Sequence, residues 1–370
     1  MSQSITTASP YLPPIEHYLT HLQHIWDSKW ITNGGMKHEQ LEQALQEHLE
    51  CDYVSLFTNG HLALETALKA LQLTGEVITT PFTFVSTAQA IVNAGCTPVF
   101  CDIEEETYTI DVSQIERHIT EKTSAIVAVH VYGNCCDIEA IEAIATKHNL
   151  KVIYDAAHAF HVLRNGKSIA TFGDATMYSF HATKVFHTIE GGAVVCKNQA
   201  LYDRIQAMKN FGLSENSAHY DGTNGKMSEF QAAMGLCNLE VLQHQINWRS
   251  KLFNRYIERL QLVDRIRLPK LQPSITPNYA YFPIQVNDGL RDKLDEALKE
   301  KGILARKYFY PILSHMPSLK HHYIDGNTKV AEKVADEVLV LPLHMNLTLE
   351  QIDLISDAII QWNESLKVNI

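Results

Sequence analysis

The sequence predicts an α/β fold in which helices cover a largely parallel sheet and a smaller α/β domain follows. Apolar, β-rich segments alternate with helical ones from about residue 53 to residue 196, as is typical of parallel sheets. The 370 residues suffice for two domains, and 45% of them are hydrophobic, which is ample for a core. The pattern changes near residue 246, so we predict a large domain over 1–245, including the N-terminal segment, and a small domain over 246–370.

Seven short segments rich in apolar and β-branched residues are the predicted strands of the large domain. The first is followed by residues 62–71, a run of good helix formers that predicts the first covering helix. The strands are 53–57, 77–80, 98–101, 125–131, 151–155, 175–180 and 192–196.

The last third of the chain predicts the second domain. A helical pattern spans residues 247–262, a proline-rich stretch contains Pro269, Pro273 and Pro277, and residues 280–286 have a strand pattern. Helical patterns close the chain. Whether the first thirty residues join this domain is left open.

Composition narrows the possible partners. A net charge of −11 and a pI near 5.9 argue against nucleic-acid or anionic-membrane binding. From the sequence we expect neither export nor membrane insertion. The seven cysteines, which are odd in number and lack a Cys-x-x-Cys pair, indicate a reduced, cytoplasmic protein. No metal site is predicted. The cysteines are Cys51, Cys96, Cys101, Cys135, Cys136, Cys196 and Cys237.

Lys184 and Asp155 carry the strongest chemical signal. Asp155 ends an apolar strand pattern, and Lys184 lies in the polar turn after another, so both are expected at the carboxyl edge of the sheet. Pyridoxal phosphate needs an amine that tethers it as a Schiff base and a carboxylate that keeps its ring nitrogen protonated. On residue type alone Lys184 would be one more solvated lysine. In this setting the pair predicts a pyridoxal phosphate site, with pyridoxamine phosphate as the aminated form.

Four further residues are candidate contacts to the same cofactor. Gly60 lies at a strand-to-helix junction, where free N–H groups can bind a phosphate, and Ser179 could donate its hydroxyl there. Phe84 could stack on the ring, although a core phenylalanine is the simpler interpretation. His158 could contact the ring, with His161 as a nearby alternative.

Several motifs occur in order along most of the chain. They are Trp30-Ile31-Thr32-Asn33-Gly34-Gly35, Thr58-Asn59-Gly60, Pro81-Phe82-Thr83-Phe84, His130-Val131-Tyr132-Gly133, Asp155-Ala156-Ala157-His158-Ala159, the stretch from Ser179-Phe180-His181 through Lys184 to Glu190-Gly191-Gly192, and Gly222-Thr223-Asn224-Gly225-Lys226-Met227-Ser228-Glu229. In this pattern the chain resembles the DegT/DnrJ-type sugar nucleotide aminotransferases, which have fold type I of the pyridoxal phosphate enzymes.

The resemblance implies a role for each matching residue. Lys184 would be the Schiff-base lysine and Asp155 the partner of the pyridine nitrogen, with His158 and Phe84 on the ring. The implied phosphate contacts are Gly60, His61, Ser179 and, from the neighbouring subunit of a homodimer with shared active sites, Asn224.

Two positions depart from the family pattern. His61 stands where a small hydroxyl residue is usual, so only its backbone N–H is a firm candidate for the phosphate. Met36 stands where a proline is frequent, near the predicted substrate residues Thr32 and Asn33, which leaves the geometry of that loop open.

The implied reaction moves an amino group from L-glutamate to a ketone on a nucleotide-linked sugar. Residues 10–14, 25–28, 209–212 and 305–311 look most like members that aminate C4 of dTDP-4-keto-6-deoxyglucose, in deoxyamino-sugar and O-antigen biosynthesis. Amination at C3 of a 3-keto isomer is the alternative. The candidate contacts to sugar or diphosphate, for which a surface cluster is an equal explanation, are Arg306, Tyr308, Tyr310 and His315.

Three other functions are disfavoured. A non-catalytic, regulatory relative would not need the intact pair of Asp155 and Lys184. The glycines do not form the Gly-x-Gly-x-x-Gly pattern of nicotinamide enzymes. A sister branch that removes a hydroxyl group carries histidine at the lysine position, so Lys184 excludes that branch.

Overall fold

The computed structural model describes residues 4–214 and 217–368. Short 3-10 turns lie at Glu116–His118, Val131–Gly133, Ile169–Thr171, Leu313–His315 and Pro317–Leu319. The helices are α1 (Ile15–Ser28), α2 (Met36–Leu49), α3 (Gly60–Ala70), α4 (Val85–Asn93), α5 (Val112–Ile115), α6 (Ile138–His148), α7 (Gln199–Met208), α8 (Glu229–Leu260), α9 (Arg291–Glu300), α10 (Lys329–Glu337) and α11 (Leu349–Val368).

The strands are likewise numbered in chain order. They are β1 (Ile5–Thr6), β2 (Val54–Phe57), β3 (Glu76–Thr79), β4 (Thr97–Phe100), β5 (Thr123–Val129), β6 (Lys151–Asp155), β7 (Leu163–Arg164), β8 (Lys167–Ser168), β9 (Ala175–Ser179), β10 (Gly192–Cys196), β11 (Leu213–Ser214), β12 (Ser217–Ala218), β13 (Ile266–Arg267), β14 (Ile275–Thr276), β15 (Phe282–Val286), β16 (Ile303–Leu304), β17 (Ile324–Asp325) and β18 (Val338–Leu341).

A mixed, mostly parallel sheet forms the centre of the large domain. Its strand order is β17-β4-β3-β5-β6-β9-β10-β2. Every neighbouring pair from β17 to β9 is parallel, while β10 runs antiparallel to both β9 and β2. The seven predicted strands are therefore confirmed, with small shifts at their ends.

The sheet is covered on both faces, as its nearly continuous apolar strands require. In β5, Ile126 and Ala128 pack toward a cluster that includes Leu45 of α2 and Ile141 of α6. The alternating residues Ala125 and Val127 pack on the other face, in a cluster fed by α3, α4 and α7. Alternation of side chains along each strand thus builds two apolar layers.

The edge strand β17 was not predicted. Only two residues long and half polar, it pairs with β4 through Ile324↔Val99 and Asp325↔Phe100. A segment this short has no period that could mark it in the sequence. Residues of the predicted small domain therefore contribute to the large sheet.

The C-terminal part has its own apolar core. There β13, β15 and β18 form a three-stranded sheet that packs with the second half of α8 and with α9 and α11. The predicted boundary at 245/246 falls within the continuous helix α8 and stays a prediction. The N-terminal strand β1 pairs with β16 of this part. No helix within the described residues is long and apolar enough to span a membrane.

Candidate functional site

A cavity of about 290 Å³ lies at the carboxyl edge of the large sheet. Parallel strands end together at this edge, which is where such folds bind ligands. Seven of the eight predicted cofactor residues line it, together with the predicted substrate residues Arg306 and Tyr308. The lining is Asn59, Gly60, His61, Thr83, Phe84, Ser86, Val129, Asp155, Ala157, His158, Met177, Ser179, His181, Thr183, Lys184, Glu190, Arg306, Tyr308 and Phe309.

Strand ends bring the central residues together. Asp155 is the last residue of β6 and Ser179 the last of β9. These strands are parallel neighbours, joined in register up to Asp155 and Met177. Lys184 follows in a turn closed by its own N–H, which donates to the His181 carbonyl at 2.9 Å. The local sequence thus directs an acid and an amine into one cavity.

Asp155 is a buried carboxylate held by two donors. Its Oδ2 accepts a hydrogen bond from Thr87 Oγ1 at 2.8 Å, and its Oδ1 accepts one from the Ala157 N–H at 3.1 Å. Burial raises the pKa of Asp155, while these two hydrogen bonds and the charge of Lys184 act in the opposite direction. A cationic N–H partner placed in the cavity would favour the ionised carboxylate.

His158 is fixed as a neutral ring. Its Nδ1 lies 3.1 Å from the Tyr132 N–H, which can only donate, so the ring hydrogen belongs on Nε2, 3.4 Å from the Tyr308 hydroxyl. Burial, with the nearby charges of Lys184 and Arg306, holds the pKa of His158 well below its usual value. The ring is therefore an uncharged contact surface with one donor.

Lys184 extends toward a residue from the C-terminal part of the chain. Its Nζ lies 3.5 Å from the Tyr281 hydroxyl, a long hydrogen bond. The Tyr281 ring packs against His158 with centroids 4.5 Å apart. Sequence reasoning missed Tyr281 because it lies 97 positions from Lys184 and no local pattern marks it.

The other end of the cavity has a cradle for an anion. Asn59 caps α3 through Oδ1, which accepts from the Leu62 N–H at 2.9 Å, and the first turn of that helix opens beside Ser179. A Cβ added to Gly60 would lie 2.9 Å from Ser179 Cβ, and one added to Gly192 would lie 2.7 Å from Gly60 Cα. Only glycines allow this close approach, and the free N–H groups there suit a phosphate.

His61 lines the cradle with its ring held by neighbours. Its Nδ1 lies 2.8 Å from Ser86 Oγ, and its Nε2 lies 3.6 Å from Glu65. The ring is thus held through its Nδ1, and the backbone N–H of His61 stays the predicted donor to the phosphate. Ser86, from the first turn of α4, is a further hydroxyl in the cavity wall that the sequence did not single out.

Phe84 is half exposed at the cavity wall, 50% accessible, just before α4. A large aromatic ring left open beside Lys184 and Asp155 has a free face for a planar ligand. The simpler interpretation of Phe84 as a core residue is wrong, since core rings in this chain such as Phe82 are fully buried.

The C-terminal candidates divide into two groups. The guanidinium of Arg306 lies 4.3 Å from the Tyr308 ring centroid, and both residues line the cavity. Tyr310 instead lies outside the lining, with Arg291 over its ring at 4.5 Å. His315 also lies outside and pairs with Glu332 at 3.7 Å.

Three other predicted residues lie outside the cavity of the single chain. Thr32 and Asn33 lie in the turn before α2, and Asn224 is exposed opposite Asn210. Their roles stay predictions, and the predicted role of Asn224 involves a second subunit. Thr87 was missed, although it shares the first turn of α4 with Ser86, because a threonine in a helix carries no signal of its own.

Comparison with known proteins agrees with this chemistry. The profile of the DegT/DnrJ/EryC1/StrS aminotransferase family matches residues 15–360. A dTDP-4-amino-4,6-dideoxy-D-glucose transaminase of Shigella dysenteriae is 43% identical over 363 residues, covering 97% of this chain and 99% of that protein. An Escherichia coli protein with the same name is 42% identical and covers 94% and 96%.

A solved structure has the same fold. DesI, crystallised in the presence of its TDP-sugar product, superposes with a TM-score of 0.92 at 30% identity, covering 97% of this chain and 92% of that one. The predicted fold, a large mostly parallel sheet between helices with a smaller C-terminal part, is confirmed.

Proposed function

The chain belongs to the DegT/DnrJ/EryC1/StrS aminotransferase family, and from that premise we propose that it transfers an amino group from L-glutamate to C4 of dTDP-4-keto-6-deoxyglucose. The observation that carries the proposal is the joint placement of Lys184, Asp155 and the glycine cradle in one cavity. Relatives that match nearly the whole chain carry the name of the corresponding dTDP-sugar transaminase.

The cavity residues fit pyridoxal phosphate, the cofactor of this family. When bound, it supplies an electron sink that lets nitrogen pass between an amino acid and a ketone. Lys184 would tether it and Asp155 would accept from its ring N–H. Phe84 offers an open aromatic face, and the Gly60 and His61 N–H groups with Ser179 Oγ suit its phosphate.

Lys184 would have a second task when it does not hold the cofactor. Its Nζ would take the proton from the α-carbon of glutamate in the first half-reaction and deliver one to the sugar carbon in the second. Such general acid–base help is worth about a hundredfold to ten thousandfold in rate. The neutral His158 adds no competing charge beside the amine.

Arg306 is suited to the anionic substrates. Its guanidinium stacks on Tyr308, and within the described residues it forms no ion pair with a carboxylate. A fixed planar cation with free N–H groups binds carboxylates and diphosphates well. Tyr310, His315, Thr32 and Asn33 lie outside the cavity lining of the single chain and stay candidate sugar contacts.

A homodimer with shared active sites is part of the proposal. The N-terminal segment and the loop before α8 expose many large apolar side chains, and such patches favour protein contacts. These exposed apolar residues are Leu12, Ile15, Leu19, Trp26, Trp30, Ile31, Phe211, Leu213 and Tyr220. In such a dimer Asn224 would reach the cofactor phosphate of the neighbouring subunit.

A cytoplasmic location is also part of the proposal. All seven cysteines are free, as is usual for proteins of that reducing compartment.

The test is the visible spectrum of protein loaded with pyridoxal phosphate, recorded after L-glutamate and again after dTDP-4-keto-6-deoxyglucose. We expect glutamate to remove the band of the tethered cofactor and the sugar to restore it. Bleaching without restoration would refute the sugar but keep the aminotransferase. Failure to form any band would favour a non-catalytic relative.

Product NMR decides the position of the new amine. A signal for an amine-bearing C4 is expected with the 4-keto sugar. Its absence, together with turnover of the 3-keto isomer, would refute C4 amination and support the C3 alternative. The names of the two full-length relatives reported above favour C4.

A further inference from the structure

Lys209 is a buried cation that the proposed chemistry does not use. Its Nζ donates to Ser55 Oγ at 3.0 Å and to the Leu56 carbonyl at 3.1 Å, and the residue is 4% exposed. Within the described part of the chain no carboxylate lies within ion-pair distance of it. Burying an ammonium without a paired carboxylate costs free energy, so a buried lysine at this position calls for an explanation.

The side-chain contacts of Lys209 lie in the strand that precedes the cofactor cradle. Ser55 and Leu56 belong to β2, and this strand continues directly into Thr58-Asn59-Gly60. Lys209 Nζ also lies 5.7 Å from the ring centroid of Phe57, the last residue of β2. The ammonium therefore holds the end of the strand from which the cradle extends.

The backbone of Lys209 is hydrogen-bonded to the segment that contains Asn224. Its carbonyl accepts from the Gly225 N–H at 2.9 Å, and the Gly225 carbonyl accepts from the Thr58 N–H at 2.8 Å. Asn210, the next residue, bridges to Asn224. Gly225 is thus held between Lys209 and the cradle loop.

The backbone at Gly225 packs closely against the Phe57 ring. A Cβ there would lie 2.9 Å from Phe57 Cδ1, closer than non-bonded carbons normally approach. A shift of the β2 end would consequently move Gly225, and with it Asn224. The two segments form one hydrogen-bonded unit around Lys209.

The buried side chain of Lys209 stays mostly protonated at neutral pH. Desolvation lowers its pKa to about 8, and Glu42 and Cys196 act against that shift while Lys226 adds to it. These groups come from α2, β10 and the Asn224 segment, and His38 of α2 also lies near enough to feel the charge. Hydrogen bonds from a cation are stronger than neutral ones.

We propose that Lys209 is a positioning residue for the cofactor phosphate. Its ammonium fixes the cradle loop of its own subunit, and its backbone fixes Asn224 for the phosphate of the neighbouring subunit. The inference rests on the proposed function in two respects: the ligand is pyridoxal phosphate, and Asn224 reaches across the dimer.

The experiment measures equilibrium binding of two probes, pyridoxal phosphate and pyridoxal, to the full-length cofactor-free protein. Pyridoxal keeps the aldehyde and the ring but lacks the phosphate. For Lys209→Met we expect the Kd of pyridoxal phosphate to rise about tenfold or more, as for loss of hydrogen bonds to a charged group. The Kd of pyridoxal should change by less than about twofold.

Three further variants test the proposal and control for unrelated effects. Ser55→Ala removes one acceptor and should raise the same Kd by a smaller factor, which tests the idea even if Lys209→Met folds poorly. Lys197→Met removes an exposed lysine and should change neither Kd. Asn224→Ala should weaken pyridoxal phosphate binding less in the Lys209→Met background than in the wild type, because Asn224 is then already displaced.

Each outcome has one meaning. Equal weakening of both probes, or unchanged binding of pyridoxal phosphate in Lys209→Met and Ser55→Ala, would overturn the inference. Additive effects of Lys209→Met and Asn224→Ala would overturn the link to the neighbouring site. If the wild-type protein bound neither probe, the proposed function itself would fail, which separates the two.

Discussion

At the scale of single residues, burial and function oppose each other at Asp155. The buried carboxylate accepts hydrogen bonds from two donors, Thr87 and Ala157, yet burial still raises its pKa. The ionised form therefore costs stability until a cationic partner arrives. Such tension is typical of a group kept for binding or catalysis.

The raised pKa of Asp155 predicts how the variant Asp155→Asn behaves. A carboxyl whose pKa is raised on folding contributes stability below its unfolded pKa and loses it as pH rises above that value. At pH 8 the cofactor-free variant should be at least as stable as the wild type, while pyridoxal phosphate should raise its Tm less. Thermal unfolding with and without the cofactor checks both.

The result would differ if Asp155 were only structural. In that case Asp155→Asn would lower the Tm of the cofactor-free protein at pH 8, because the contacts to Thr87 and Ala157 would be disturbed without any gain. Measurement at pH 4 as well separates the cost of the charge from the cost of altered hydrogen bonds.

Lys184→Ala should abolish turnover while leaving the fold intact. The side chain contacts the Tyr281 hydroxyl only at 3.5 Å, so its removal costs little packing. Steady-state amination of the sugar and circular dichroism are the measurements. Multiple turnovers by the variant would overturn the assignment of Lys184 as the catalytic amine.

At the scale of elements, Glu229 connects two segments near the predicted substrate loop. It begins α8, and its carboxylate accepts from the first-turn N–H groups of α2, Lys37 at 2.9 Å and His38 at 2.8 Å. Its own N–H donates to the Thr32 carbonyl at 3.0 Å. A buried acid thus satisfies a helix terminus that has no side-chain cap of its own.

Glu229→Ala should therefore destabilise the protein by about 2–4 kcal/mol, because two buried N–H groups lose their acceptor. The loop with Thr32 and Asn33 should loosen, so KM for the sugar should rise. Urea unfolding and steady-state kinetics measure these effects. Glu39→Ala, an exposed acid in the same first turn, is the control, and an equal effect of the two would refute the role of Glu229.

At the scale of the whole molecule, the cavity combines distant parts of the chain. Arg306, Tyr308 and Phe309 reach it from the C-terminal part, and β17 joins that part to the large sheet. The position of Tyr281 beside Lys184 likewise depends on how the two parts pack. The proposed role of Asn224 in a neighbouring subunit would extend the same principle across a dimer.

Mixed dimers test this arrangement. Lys184→Ala and Asn224→Asp subunits should each be nearly inactive, the second because a carboxylate would repel the phosphate. If sites are shared, a mixed dimer has one site with both changes and one with neither. Refolding an equal mixture should recover about a quarter of wild-type activity, as expected for random pairing in a two-fold dimer. No recovery would refute a shared site.

Local sequence patterns predicted the strands β2–β6, β9 and β10 of the large sheet, the positions of Lys184 and Asp155 at its carboxyl edge, and the close-packed glycine at the start of α3. Each depends on local order: an apolar run forms a strand, and the residues just beyond it must lie at the carboxyl edge. The packing of the folded chain, by contrast, brings Tyr281 to Lys184, Thr87 to Asp155 and Lys209 to the end of β2. Such contacts join side chains far apart in the sequence, and their selection depends on how whole elements pack, for which no local pattern exists.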